Sequence, residues 1–150
     1  MKYTLKLNFW KNNIDLLRDG KIIGNLVRIG VWKSGAKGYL FDKNYTFLVK
    51  GIFSSRTEIM DEQENIIGEI NFNHWSYKAT VELNGKRYYW QSDNFWCTRW
   101  KLTDELGHEI LLTKNEFLIN NAISENNDFA IFLATYLFYY SYNQKMAAAV

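Results

Sequence analysis

The stretch FAIFLATYLFYYSY, Phe129 to Tyr142, runs for fourteen residues without a charge. Its residues are compatible with a helix and are apolar on every side, and such a helix has to be enclosed all round, by lipid or by protein. Length separates the two. At about 1.5 Å per residue the stretch spans roughly 21 Å, whereas a hydrocarbon core of about 30 Å asks for some 20 residues. Asn143 and Gln144 follow directly, where a bilayer would demand apolar groups. The expectation is a helix over about 128–142 that fills a protein core and is not a transmembrane span. Asn127 or Asp128 suits its N-terminus, as a cap and as a negative charge on the positive end of the helix dipole. Ala130, Ala134 and Ser141 form a stripe of small residues. In a membrane such a stripe would read as a dimer motif; in a barrel it is the side pressed nearest the wall.

What surrounds the helix is written with period two. YTLKLNF places Tyr3, Leu5, Leu7 and Phe9 on one face and Thr4, Lys6 and Asn8 on the other, and YKATVEL repeats the pattern from Tyr77 to Leu83. This alternation marks half-buried strands. Asp19-Gly20 and Asn84-Gly85 supply the positive φ angles of tight hairpins, and MDEQENII and TDELGHEI are looser versions. The pieces IDLLRDGKIIGNL, EIMDEQENIIGEI and WKLTDELGHEILL each read strand, polar turn, strand, as a meander of hairpins does. Twelve strands are predicted, over 3–9, 14–18, 22–28, 38–42, 45–50, 57–61, 66–72, 77–83, 86–91, 96–103, 108–113 and 116–123. Apolar residues make up 47% and aromatics 17%, enough for a sizeable core. With no linker, low-complexity tract or charge run, residues 1–150 read as one domain. WKSGAKG, Trp32 to Gly38, is the one connection that reads as flexible.

Twelve short antiparallel strands left as an open sheet would expose two edges and twist heavily. Closure into a barrel removes the edges, and a barrel that wide leaves a lumen that an apolar helix of about 20 Å fills. The predicted fold is therefore mostly β, a closed antiparallel barrel of about twelve strands around a buried C-terminal helix.

The order of these elements resembles the superfamily of the tubby C-terminal domain, the plant LURP-one-related proteins and the phospholipid scramblases. The resemblance covers nearly the whole chain. It is carried by the strand count, by LLRDGKIIG, IMDEQENIIGEI and RWKLTDELGHEIL, and by the terminal NDFAIFLATYLFYYSY. RWKLTDELGHEI looks like the late strand pair of that family, with Arg99-Trp100 entering and Asp104 and Gly107 at the turn. The resemblance implies a twelve-stranded barrel around a hydrophobic helix, and in some members an association with phospholipid. The chain departs from it in places. The calcium-associated acidic segment of scramblases is reduced to Glu125 and Asp128, too few for a cation that takes six to eight oxygens. The Cys-rich and Pro-rich regions are missing, and the clustered basic positions of tubby-type phosphoinositide binding do not map onto this sequence.

The residues themselves argue against catalysis. His74 and His108 have no companion at ligand spacing, so no metal site and no cofactor is expected. Cys97, between Trp96 and Trp100, has no base nominated beside it and, as the sole cysteine, fits a reducing compartment. Asp61, Glu62 and Glu64 share one solvated turn. GAKG is a glycine-flanked loop and not a phosphate-binding motif. The NYT triplet at Asn44 is a chance sequon in a chain whose N-terminus reads as no secretory signal, which makes the cytoplasm the expected compartment. A formal charge of +2 is too small by itself to point to nucleic acid or to an anionic membrane. Two stretches could bind something. Lys33 and Lys37, beside Trp32 on the WKSGAKG loop, could hold a phosphate or lipid head group. Tyr88, Tyr89, Trp90, Phe95, Trp96 and Trp100 form an aromatic run, and alternation sends about half of it into the core. The functional expectation is a non-catalytic binding or adaptor module, peripheral to a phospholipid surface, with an anionic phospholipid or a protein as partner. The alternative is a lipocalin-like carrier of a small apolar ligand, which needs an empty lumen and the helix packed outside.

Overall fold

The structure, a computed structural model, describes residues 2–8, 13–29, 35–51, 56–73, 76, 78–92, 98–120 and 127–148. In chain order the elements are β1 (Tyr3–Asn8), β2 (Asn13–Arg18), β3 (Lys21–Arg28), β4 (Gly35–Leu40), β5 (Lys43–Lys50), β6 (Arg56–Met60), β7 (Ile66–Asn73), β8 (Lys78–Leu83), β9 (Lys86–Ser92), β10 (Arg99–Asp104), β11 (Glu109–Thr113), β12 (Glu116–Asn120) and α1 (Asn127–Ala148). Each strand pairs antiparallel with its neighbours in the chain. β1 meets β12 through Tyr3↔Phe117 and Thr4↔Glu116, which closes the barrel.

The period-two reading holds strand by strand. Tyr3 and Leu5, Ile14 and Leu16, Val81 and Leu83, and Trp100 and Leu102 point inward and are buried. Outward positions such as Lys6, Lys37, Glu82 and Arg87 are exposed. A bilayer-spanning barrel has the opposite pattern, with an apolar band outside. No helix among the described residues is long and apolar enough to cross a membrane. The turn chemistry also holds: Asp19-Gly20 and Asn84-Gly85 take positive φ at both positions.

Most strand bounds shift by a residue or two from the sequence reading, and the largest changes are around β4 and at the end of the helix. β4 begins at Gly35, so Lys37 lies within a strand, paired with Val27 and Thr46, and not on the expected loop; its outward side chain follows the alternation of that strand. The next turn falls at Phe41-Asp42 and not after residue 42, because Leu40 pairs directly with Lys43. Phe41 takes a φ of 55° there, a conformation bulky residues avoid, so side-chain chemistry gave no sign of it. The helix also runs past residue 142, to Ala148.

The helix occupies the lumen. Ile131 to Leu137, seven consecutive residues, are each no more than 1% exposed. Nearly two turns buried on every face require a wall on every side. At one point the wall is thin where α1 is bulky: a Cβ on Gly38 would stand 2.4 Å from the Phe132 ring. The Phe132 ring also packs against Tyr45 and Phe47. Tyr136 stacks on Phe47 with centroids 4.0 Å apart, and Tyr140 on Phe72 at the same spacing. Where α1 is small, the wall is thick: Trp90 and Trp100 stack at 5.4 Å, and the indole N–H of Trp90 donates to the Ser141 hydroxyl at 3.1 Å. The stripe anticipated from Ala130, Ala134 and Ser141 thus meets a wall tryptophan through Ser141.

Candidate functional site

The helix gives the barrel two chemically distinct ends. Asp128, in its first turn, accepts hydrogen bonds from the Tyr3 hydroxyl at 2.7 Å and from the Arg18 guanidinium at 2.8 Å. Those residues are the first of β1 and the last of β2, so α1 starts at the end where β1 starts. Its later residues Tyr139 and Tyr142 share a notch with Leu7 and Asn13 at the far end.

Charge is distributed unevenly along the same axis. At the end where the helix starts, the tight turns carry Asp19, Asp42, Asp61, Glu62, Glu64 and Glu105. Asp61 caps its own turn by accepting from the backbone of Gln63 and Asn65. Asp104 does the same for Leu106 and His108 and also meets the His108 ring at 2.8 Å. Burial raises the Asp104 pKa, but these hydrogen bonds outweigh it and hold the carboxyl below its ordinary range. At the far end the strands terminate in Arg28, Lys50, Arg56, Lys78 and Arg99, and none of the ten ends contributed there by β1 to β10 is a carboxylate. Glu116, where β12 begins, is level with Thr4 on one side and, through Thr113, with Arg99 on the other, and it pairs with Lys2 at 3.3 Å. Lys50 makes a long ion pair of 3.7 Å with Glu58. The end where the helix starts is mixed, since Arg18, Lys21, Lys43 and Lys86 begin or end strands there beside the acids, whereas the cations at the far end suit the negative end of the helix dipole.

A cavity of about 380 Å³ opens beside the first turn of α1. Lys43 and Tyr45 enter it from β5, Lys86 and Tyr88 from β9, and Leu83 and Phe129 form part of its floor. Tyr45 packs edge-on against Phe129 with centroids 5.1 Å apart. Burial raises the pKa of both phenols, aided by Glu62 and Asp61 at Tyr45 and by Asp104 at Tyr88. Tyr3 is pushed up to about 12, by burial and by its bond to Asp128, against the pull of Arg18. The Asp128 carboxylate raises the Arg18 pKa in return, and the Arg18 guanidinium lies 5.3 Å from the Phe41 ring centroid. These phenols stay protonated donors across the neutral range.

The residues singled out in the sequence separate widely. Lys37 is on the outer wall, and Lys33, His74, Cys97, Phe95, Trp96 and Glu125 lie outside the described residues. Of the aromatic run, Tyr88, Trp90 and Trp100 are buried and Tyr89 is exposed. Among the described residues, no three His, Cys, Asp or Glu side chains converge as metal ligands. The cationic end was not anticipated. Its signal was present in the chain: Arg28, Lys50, Arg56, Lys78 and Arg99 border alternate connections, while acids fill the connections between. Comparison with models of protein families, with curated proteins and with solved structures finds no match for this chain.

Proposed function

We propose that this protein is a non-catalytic binding module that docks on anionic phospholipid through the cationic end of its barrel. The observation that carries the reading is the set of five cationic strand ends at the far end, with no carboxylate among the other β1 to β10 ends there. Five cations gathered at one end of the barrel suit an anionic surface, whereas readout of a duplex uses a helix or β-ribbon that enters its groove. The tubby, LURP-one-related and scramblase likeness seen in the sequence belongs to the same reading. So does Lys37, which adds to the positive field from the wall. The filled lumen favours this reading over a carrier that stores its ligand inside the barrel.

Each cation near an anionic leaflet is worth about 1 kcal/mol, so Arg28, Arg56 and Lys78 alone give roughly 3 kcal/mol, a preference of about a hundredfold over neutral lipid. The test is co-sedimentation with phosphatidylcholine vesicles containing increasing phosphatidylglycerol. Binding should rise with the anionic fraction and collapse toward 1 M salt, where the Debye length is about 3 Å. Arg56→Glu with Lys78→Glu should abolish it, and Lys43→Glu with Lys86→Glu, at the other end, should not. Equal binding to pure phosphatidylcholine, or a preference for DNA or RNA oligonucleotides over vesicles, would refute the proposal.

A further inference from the structure

We infer that the cavity beside the first turn of α1 is a binding site for an amphipathic monocarboxylate, a hydrocarbon chain or ring ending in one carboxylate. The site lies at the opposite end of the barrel from the cationic rim and does not depend on it. Its volume of about 380 Å³ is within the range of small-molecule sites, about 300–1,000 Å³. Its composition is divided. Leu40, Ile67, Leu83, Phe129 and Ala130 offer hydrocarbon, and the ammonium groups of Lys43 and Lys86 stand at the same cavity.

Three observations set the charge of the ligand. Among the described residues, neither Lys43 nor Lys86 has an ion-pair partner, unlike Arg18, Lys50 and Arg87. Tyr88 lines the cavity with 9% of its surface exposed, and its hydroxyl can donate to a ligand oxygen there. Two carboxylates line the cavity: Asp128 is already neutralised by Arg18 and Tyr3 at 2.8 and 2.7 Å, which leaves Asp42 against the two lysines and a net positive charge. The N-terminal end of the helix dipole adds to the same preference. Two cations and a phenol donor suit one carboxylate through charge-assisted hydrogen bonds. The apolar floor requires that the carboxylate carry hydrocarbon.

The experiment is isothermal titration of the full chain with decanoate, kept below its micelle concentration, and with decanol, acetate and inorganic phosphate as separate probes. Decanoate should bind one to one, with the other three at least about tenfold weaker, since hydrogen bonds to a charged group are worth about that factor or more. Lys43→Gln with Lys86→Gln should weaken decanoate about tenfold or more. Tyr88→Phe should weaken it several-fold, and Lys78→Gln, at the far end, should leave it unchanged. Both lysines are exposed, so the double variant remains informative even if Tyr88→Phe fails to fold. Decanol binding as tightly as decanoate would overturn the carboxylate, and phosphate binding as tightly would overturn the hydrocarbon. An unchanged affinity in the lysine variant, or no saturable binding, would overturn the site.

Discussion

Gly38→Ala tests whether the helix is held by a wall shaped to receive it. The added Cβ would stand 2.4 Å from Cζ of Phe132 and 2.8 Å from Cδ2 of Leu26, and non-bonded carbons prefer about 3.5–4.0 Å. The Phe132 ring cannot swing away cheaply, because it is fully buried with Tyr45, Phe47 and Phe129 around it. Overpacking of this kind costs about 1–3 kcal/mol. Glycine itself is unfavourable in a strand, and relieving that returns about 0.5–1 kcal/mol. The net expectation is a loss of about 1–2 kcal/mol, read as a lower urea midpoint at unchanged slope. Phe132→Leu alone leaves a void and should also destabilise. Combined with Gly38→Ala, it removes the clash, so the double variant should be more stable than the sum of the singles predicts, by about 0.5–3 kcal/mol. A neutral Gly38→Ala, or strictly additive singles, would refute the close approach of helix and wall.

Ending the chain at Asn126 should abolish cooperative unfolding, since each large buried side chain of α1 contributes about 1.5–3 kcal/mol and a domain is stable by only about 5–15; a cooperative melt in the truncated chain would disprove the role of the helix. Ala134→Trp, at a fully buried position, should cost about 1–3 kcal/mol or more, and an unchanged midpoint would place that side of the helix in open space. The depressed Asp104 carboxyl means that, in acid, the unfolded chain binds its proton first. Its stabilisation is therefore complete above the ordinary carboxylate range and is lost as pH falls through the lower folded value. Asp104→Asn should flatten that part of the acid limb in denaturation curves between pH 7 and pH 3, and an identical limb would contradict the assignment. At Phe41, whose φ is 55°, Asn should prove more stable than Val by about 1 kcal/mol, because only Asn tolerates the left-handed region; the reverse order in thermal melts would exclude strain at that turn.

How much of this was legible in the chain follows from which interactions are local. Alternation in YTLKLNF and YKATVEL, the Asp19-Gly20 and Asn84-Gly85 turns, and the uncharged run from Phe129 to Tyr142 each fix a strand, a hairpin or a helix through neighbours a few residues apart. A helix apolar all round and too short for a bilayer leaves only a protein interior to hold it, so barrel and contents were both determined by sequence. The boundaries that slipped were those without local chemistry. Phe41 turns because Leu40 meets Lys43, and Lys37 sits in β4 because Val27 and Thr46 flank it.

The candidate sites belong to the tertiary structure. Arg28, Lys50, Arg56, Lys78 and Arg99 are scattered over 72 positions of the sequence and meet only because strands alternate in direction and then close into a ring. The cavity joins Lys43, Lys86, Tyr88 and Phe129 from three elements. Asp128, which also lines it, is satisfied by Tyr3 and Arg18, more than a hundred residues away. Local sequence sets which face of each strand is buried. The closure of β1 on β12 and the depth of the helix in the lumen set which charges become neighbours, and these depend on every register in the barrel at once.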